Sequence, residues 1–445
     1  MSPKISGMRA FYIIWFGQLI STLGSSLTGF AMGVWIYERT DSVTLFAINT
    51  FIFMGVTVAV SPFAGALVDR WNRRWVMILS DAGAGLTTVA IWLLLLTGNL
   101  QIWQILVIGG FNAAFTSFQF PAHSAATTML VPREQLGRAG GMVQISQAIS
   151  NLVAPALAGF LFIAIGLEWI LVIDIAAFIF AVATLVVIHV PEPERIETSD
   201  NEKSTIFKEI QFGWNYITRR KGLLYWMLYI AALNLGAGLA FPLLTPLMLD
   251  LGDAQQVGLA NSGIGLGMLL GTLIMSVWGG PKRRVFAVLG SGLWLGVFMM
   301  FIGARPSLLA IGIAGFFLMI ALPILNGSSR AMWQTKVPPD IQGRVFSVRR
   351  VIGQFTNPLA ALAAGPLVEN LLQPMMEEGG ALSGSFGRLI GVGDGRGTAL
   401  MFVLVGIFMI LVTLYGFSNR TLVNTEIDNP DAEIIEQQAQ PQPVR

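Results

Sequence analysis

Runs of about 20 charge-poor, mostly apolar residues recur from one end of this chain to the other, and that is the length a helix needs to cross the hydrocarbon core of a bilayer. They fall near 10–36, 44–67, 75–97, 101–130, 139–166, 169–190, 222–249, 256–279, 285–304, 307–335, 344–371 and 397–418. Glycine and proline are frequent within them, which lipid-embedded helices tolerate. Only 12% of the 445 residues are charged, about half the share in an ordinary soluble chain, so much of the surface must face lipid. The first run is too long for the apolar part of a signal peptide and reads as a retained first helix. The expected fold class is an all-α membrane protein with twelve transmembrane helices.

Basic residues fix the expected orientation. With the N-terminus in the cytoplasm, that side receives Arg70, Arg73 and Arg74; Arg133 and Arg138; Arg195 to Lys221; Lys282, Arg283 and Arg284; and Arg344, Arg349 and Arg350. The opposite side holds Arg39, Arg305, Arg388 and Arg396. This is the positive-inside asymmetry, repeated loop by loop. Both termini are expected in the cytoplasm.

The longest polar stretch between spans is 191–221. It opens as a charged linker and continues with Ile206, Ile210, Trp214 and Ile217 at helical spacing, the pattern of an amphipathic helix on a membrane surface. The expected division is thus a six-helix half at 1–190, the linker at 191–221, a second half at 222–418, and a polar, disordered tail at 419–445. The segment 372–396 is the long external loop.

Several function classes fall away. There is no cysteine and the two histidines, His123 and His189, are far apart, so no metal site or thiol chemistry is expected. A net charge of +2 gives no reason to expect nucleic acid. No nucleophile–base pair or phosphate-cradling loop stands out, so neither an enzyme nor a bound cofactor is expected.

An internal repeat supplies the architecture. Residues 131–138 read VPREQLGR and 337–344 read VPPDIQGR, an offset of 206 at which Ala158-Gly159 also matches Ala364-Gly365. Proline would end a helix at the membrane surface, the acid suits the first turn of the next helix, and the arginine anchors it at the headgroups. Both copies lie in cytoplasmic loops, so an even number of spans, six, separates them. The halves are then pseudo-symmetric about an axis along the membrane normal.

The loop after the second span, GALVDRWNRR from Gly65 to Arg74, resembles the signature loop of the major facilitator superfamily, Gly-x-x-x-Asp-Arg-x-Gly-Arg-Arg/Lys. Gly65, Asp69, Arg70, Arg73 and Arg74 match, and Asn72 stands where the second glycine is usual; asparagine also tolerates a left-handed turn. The equivalent GGPKRR at 279–284 keeps the basic residues and lacks the acid. The resemblance implies the major facilitator fold and a gating role for this loop, with Asp69 in a contact that breaks as the halves rock. Arg73 and Arg74 are equally readable as basic anchors. Asp81 reads as a charge partner for them.

NLVAPALAG at 151–159 resembles a relaxed form of the superfamily's exporter motif, Gly-Pro-x-x-Gly-Gly, through Pro155 and Gly159; a tightly packed helix is the plainer reading. The arginine motif typical of the fourth helix in drug/proton antiporters is absent from GGFNAAFTSFQF. Over the whole chain, FYIIWFGQLISTLGSSLTGFAMGVWIYERTDS, GALVDRWNRRWVMILSD and FPAHSAATTMLVPREQLGRAGG resemble the macrolide-efflux and enterobactin-exporter branch.

Intramembrane ionisable groups are functional candidates. Asp174 is the candidate proton carrier, or else a buried group paired by hydrogen bonds. Arg330 either snorkels to the cytoplasmic surface or meets substrate, and His123 reads as a satisfied polar residue. Gln18, Ser21, Ser25, Asn112, Phe115, Gln119, Asn234, Phe241, Asn326 and Arg330 could line a central cavity, or the amides could bond helix to helix. The resemblance implies a monomeric exporter of small amphiphilic molecules in a bacterial inner membrane. It would work by alternating access, energised by protons, with the bilayer as its other partner. A dedicated siderophore, metabolite or lysolipid transporter, and a transport-inactive sensor or scaffold, are the alternatives.

Overall fold

The structure, a computed structural model, describes residues 7–132, 135–188, 206–281, 283–338 and 341–428. The side chains of Asp69, Arg70, Arg344 and Arg350 and the surroundings of Gly65 lie outside that set, as do the acids Glu134 and Asp340 of the repeat and the linker segment 191–205. The described residues form helices and no strand.

The helices are α1 (Met8–Thr40), α2 (Val43–Arg70), α3 (Arg73–Leu96), α4 (Ile102–Leu130), α5 (Leu136–Val187), α6 (Ile206–Arg219), α7 (Lys221–Leu249), α8 (Ala254–Trp278), α9 (Arg284–Ala304), α10 (Leu308–Lys336) and α11 (Gln342–Leu367). After a π-helical turn at Val368–Leu372 come the short α12 (Gln373–Met376) and α13 (Phe386–Ile390), then α14 (Arg396–Ser418), α15 (Arg420–Val423) and α16 (Thr425–Asp428). Ten of the described helices are long and apolar enough to cross a membrane. One of these, α5, contains two spans. At Gly166 its backbone takes φ 77°, ψ 171°, a conformation that only glycine adopts without strain. The twelfth span is α11, made more polar by Arg349, Gln354 and Asn357. With α5 counted twice and α11 included, the described helices supply the twelve spans expected from the sequence.

The repeat is written in the backbone as well as in the letters. Val131 ends α4 with φ −101°, ψ 129°, and Val337 ends α10 with φ −113°, ψ 124°. Each precedes a proline, which forces the residue before it out of helical geometry. Four residues on, Gln135 and Ile341 start the next helices with nearly identical angles, φ −107°, ψ 0° and φ −111°, ψ −2°.

By internal contact the chain forms two compact units, Met1–Glu197 with Pro242–Gly265, and Thr198–Phe241 with Leu266–Arg445. In the first unit, two apolar cores lie at opposite ends of the helices. One gathers Phe11, Ile14, Met77, Leu130 and Leu185. The other gathers Leu27, Trp35, Ile36, Ile105 and Leu171. Polar side chains occupy the layer between them. The same unit brings α5 hard against α8. A Cβ on Gly159 would meet the Ala254 carbonyl oxygen at 2.2 Å, and one on Gly258 the Pro155 carbonyl oxygen at 2.2 Å, so both contacts require glycine.

In the second unit α6 docks through Ile217, which is fully buried, and the Tyr216 hydroxyl donates to the Lys336 carbonyl at 3.4 Å. Trp214 stays exposed. The expected disordered tail is folded over its first ten residues. Asn419 caps α15 through the amides of Thr421 and Leu422, and Thr425 and Leu422 are buried. The polar, acidic composition of the tail gave the expectation of disorder; the Asn419 cap and the bonds of Glu426 to the start of α9 hold these first residues in place.

Candidate substrate cavity and signature loop

The polar layer of the first unit surrounds a cavity of about 730 Å³. Of the sequence candidates, Gln18, Ser21, Ser25, Asn112, Gln119, Pro155 and Asp174 line it. Its wall also includes Thr88, Ser150 and His123, which the sequence reading left out of the lining. The available signal was a polar residue recurring one or two turns from another on an apolar helix, as Ser146 and Ser150 do.

Two carboxylates are buried beside this cavity, each with its own shell. Asp174 accepts from the Ser25 hydroxyl at 3.2 Å and from the Thr88 hydroxyl at 3.1 Å. Asp81 accepts from the Gln18 amide at 2.7 Å and from the Gln119 amide at 2.7 Å. This corrects the expectation that Asp81 partners Arg73 and Arg74. It lies two turns inside α3, so its side chain meets α1 and α4 in the polar layer. His123 is also corrected: its Nε2 is buried with no hydrogen-bond partner among the described residues, and Gln119, one turn before it on α4, gives its amide to Asp81 instead.

Phe115 does not line this cavity. It fills the gap left by Gly83, where a Cβ would touch its ring at 2.4 Å. Asn234, Phe241, Asn326 and Arg330 belong to the second unit. There the Asn234 amide donates to the Gly353 carbonyl at 2.9 Å, the helix-bonding role, while Asn326 and Arg330 are exposed.

At the signature loop, Arg74 donates from Nε to the Leu185 carbonyl at 2.9 Å and from Nη2 to the Val186 carbonyl, satisfying orphan carbonyls at the end of α5. Arg73 turns to the Met129 sulfur on α4. Asn72 is not left-handed. It has φ −62°, ψ 113°, and its side chain accepts from the amides of Arg74 and Trp75, so it is the N-cap of α3.

Buried polar side chains around a cavity in a bundle of membrane helices suit a transporter. The chain belongs to the Major Facilitator Superfamily, whose model matches residues 14–361. It is 27% identical over 378 residues to macrolide efflux protein A of Streptococcus pyogenes, covering 81% of this chain and 90% of that protein. It is 26% identical over 411 residues to the enterobactin exporter EntS of Shigella flexneri, covering 89% and 92%. Among solved structures, a bacterial homolog of the human lysosomal transporter Spinster superposes with a TM-score of 0.72 at 14% identity, covering 95% of this chain and 98% of that one.

Proposed function

We propose that this protein exports small amphiphilic molecules across a bacterial inner membrane by alternating access of its two six-helix halves, driven by proton antiport. The observation that carries the reading is the cavity of about 730 Å³, whose wall alternates hydroxyls and amides with Trp15, Phe30, Phe53 and Ile91. Such a lining suits a molecule with one polar and one apolar face. Asp174, on that wall, is the proposed proton carrier. The loop from Gly65 to Arg74 is the proposed latch between helix ends, and Pro155 and Gly159 hold the close contact of α5 with α8. Both termini lie in the cytoplasm in this reading, on the side of the basic loops. Within the same class, the relationship to an enterobactin exporter favours a secreted metabolite as an alternative cargo.

The test uses erythromycin as probe, with proteoliposomes carrying an imposed pH gradient. Erythromycin should accumulate against its gradient when the interior is acid and should stop when the gradient is collapsed. Flux that ignores the gradient removes the antiport claim. Unchanged susceptibility of cells to a broad panel of amphiphiles, with and without the protein, removes export.

A further inference from the structure

We propose that Ser262 of α8 is a positioning residue for transport: its hydroxyl takes a backbone amide beside the Pro155 break in α5, and this bond keeps α5 and α8 in register and the cavity shut at the end away from the chain termini. The need for such a bond starts with Pro155. Proline has no N–H, and its ring presses on the carbonyl four residues back, so a helix that contains it loses hydrogen bonding at that point. In α5 that carbonyl belongs to Asn151. The Ala156 amide, next to the break, donates to the Ser262 hydroxyl oxygen at 3.1 Å. A bare amide in a membrane helix is costly, because no water is at hand to take it. The group that serves it comes from α8, so the repair of one helix is also a tie to another.

Around this tie the two backbones touch at three levels. A Cβ on Gly159 would meet the Ala254 carbonyl oxygen at 2.2 Å, one on Gly258 the Pro155 carbonyl oxygen at 2.2 Å, and one on Gly265 the Asn151 carbonyl oxygen at 3.1 Å. As the α5 numbers fall the α8 numbers rise, so the helices run antiparallel, and Ser262 stands between the levels of Gly258 and Gly265. Small residues let helix backbones approach closely, but they leave one helix free to slide along the other. A hydrogen bond has a direction and a length, and Ser262 supplies both.

The seam stands on the cavity wall. Asn151 and Pro155 line the cavity, and the contacts continue from them through Gly159 towards the turn at Gly166. At the same end, the Tyr37 hydroxyl of α1 donates to the Asp250 carboxylate between α7 and α8. Residues 242–265 therefore join the first compact unit, although they lie in the second half of the sequence. Backbones this close leave no path between the two helices, so opening the seam requires α8 to leave α5, and the Ala156–Ser262 bond must break. That this end faces outwards, and that cargo leaves by it, rests on the transport reading above; the contact itself does not.

The experiment uses the full chain, which has no cysteine of its own, with Gly29→Cys as reporter. Gly29 lines the cavity, and a Cβ there meets nothing within 4 Å. Labelling by a membrane-impermeant maleimide is timed from each face of the membrane, in intact spheroplasts and in inverted vesicles. Ser262→Ala should speed labelling about fivefold, the population shift expected for one lost hydrogen bond. The rise should be confined to the face that carries the loop at 372–396, marked by labelling of Ser383→Cys. In a Pro155→Ala background residue 155 regains its N–H and the Ala156 amide can return to its own helix, so adding Ser262→Ala should then change little. An unchanged rate in Ser262→Ala overturns the assignment. So does an equal rise with and without Pro155→Ala, or a rise from both faces together with a lowered unfolding midpoint. A protein that shows the expected pattern and yet moves no erythromycin would lose the export reading and keep Ser262 in its place.

Discussion

Asp174 and Asp81 are buried to similar depth, at 4% and 2% exposure, yet their partners suit them to different work. A hydroxyl can donate to a carboxylate or accept from a carboxyl by rotating its hydrogen. Ser25 and Thr88 can therefore serve Asp174 in both protonation states without moving. Gln18 and Gln119 present amide nitrogens to Asp81, and to accept a proton from it they must turn their amides over. For the proposed antiport, Asp174 is thus the better placed of the two to carry the proton, while Asp81 ties α1 and α4 to α3. Asp174→Asn should abolish gradient-driven flux of erythromycin while leaving its binding in place. Asp81→Asn, which keeps a hydrogen-bonding side chain of the same shape, should lower flux severalfold without uncoupling it. Equal flux from Asp174→Asn and wild type would remove Asp174 from the proton path. The sequence carried part of this. An Asp inside ILVIDIAAF announces itself by its apolar surroundings, whereas Asp81 stands near Arg73 and Arg74 in the chain and away from them in space, and only the folded helices show which side chains it meets. Asn72 teaches the same lesson. Its type fitted a left-handed turn and an N-cap alike, and the backbone angles chose the cap.

At the scale of elements, apolar length alone located almost every span, because a membrane helix must satisfy its backbone internally and cannot be much shorter than the bilayer. The boundary between the fifth and sixth spans was legible for a particular reason: Gly166 is the residue that can turn the chain there. What could not be read were contacts that join distant segments. The second-half loop GGPKRR lacks the acid of its first-half counterpart, and a carboxylate reaches the start of α9 from the other end of the chain. Glu426 accepts from the Arg284 amide at 2.9 Å and from the Val285 amide at 3.4 Å, and its carbonyl accepts from Lys336 Nζ at 2.7 Å. A negative group at a helix N-terminus satisfies orphan amides and meets the positive end of the helix dipole. Glu426→Ala should therefore cost about 1 kcal/mol, the worth of an ordinary N-cap, and lower the unfolding midpoint by a few degrees. Glu426→Gln, which keeps one acceptor, should fall between. A midpoint unchanged in Glu426→Ala would show that the latch does not hold the tail.

For the molecule as a whole, the repeat and the charge asymmetry speak to different things. The repeat, with its paired angles at Val131 and Val337, relates the two halves to each other. It does not say which face of the membrane they share. Charge does, because translocating Lys and Arg against the membrane potential is unfavourable. The basic side chains sit at the helix ends bearing α3 and α9, where Arg74 and Arg284 are tied to backbone carbonyls, so they cannot be drawn to the opposite face without unfolding those ends. The chain contains no cysteine, so a single introduced thiol reports on one position without background. Ser204→Cys, in the linker, and Ser383→Cys, in the long loop before α14, lie on opposite sides if twelve spans run from a cytoplasmic N-terminus. In intact spheroplasts a membrane-impermeant maleimide should label Ser383→Cys and spare Ser204→Cys, and opening the membrane should expose the second. Labelling of both in intact spheroplasts would break the count of spans between them. Labelling of Ser204→Cys alone would keep the count and invert the molecule.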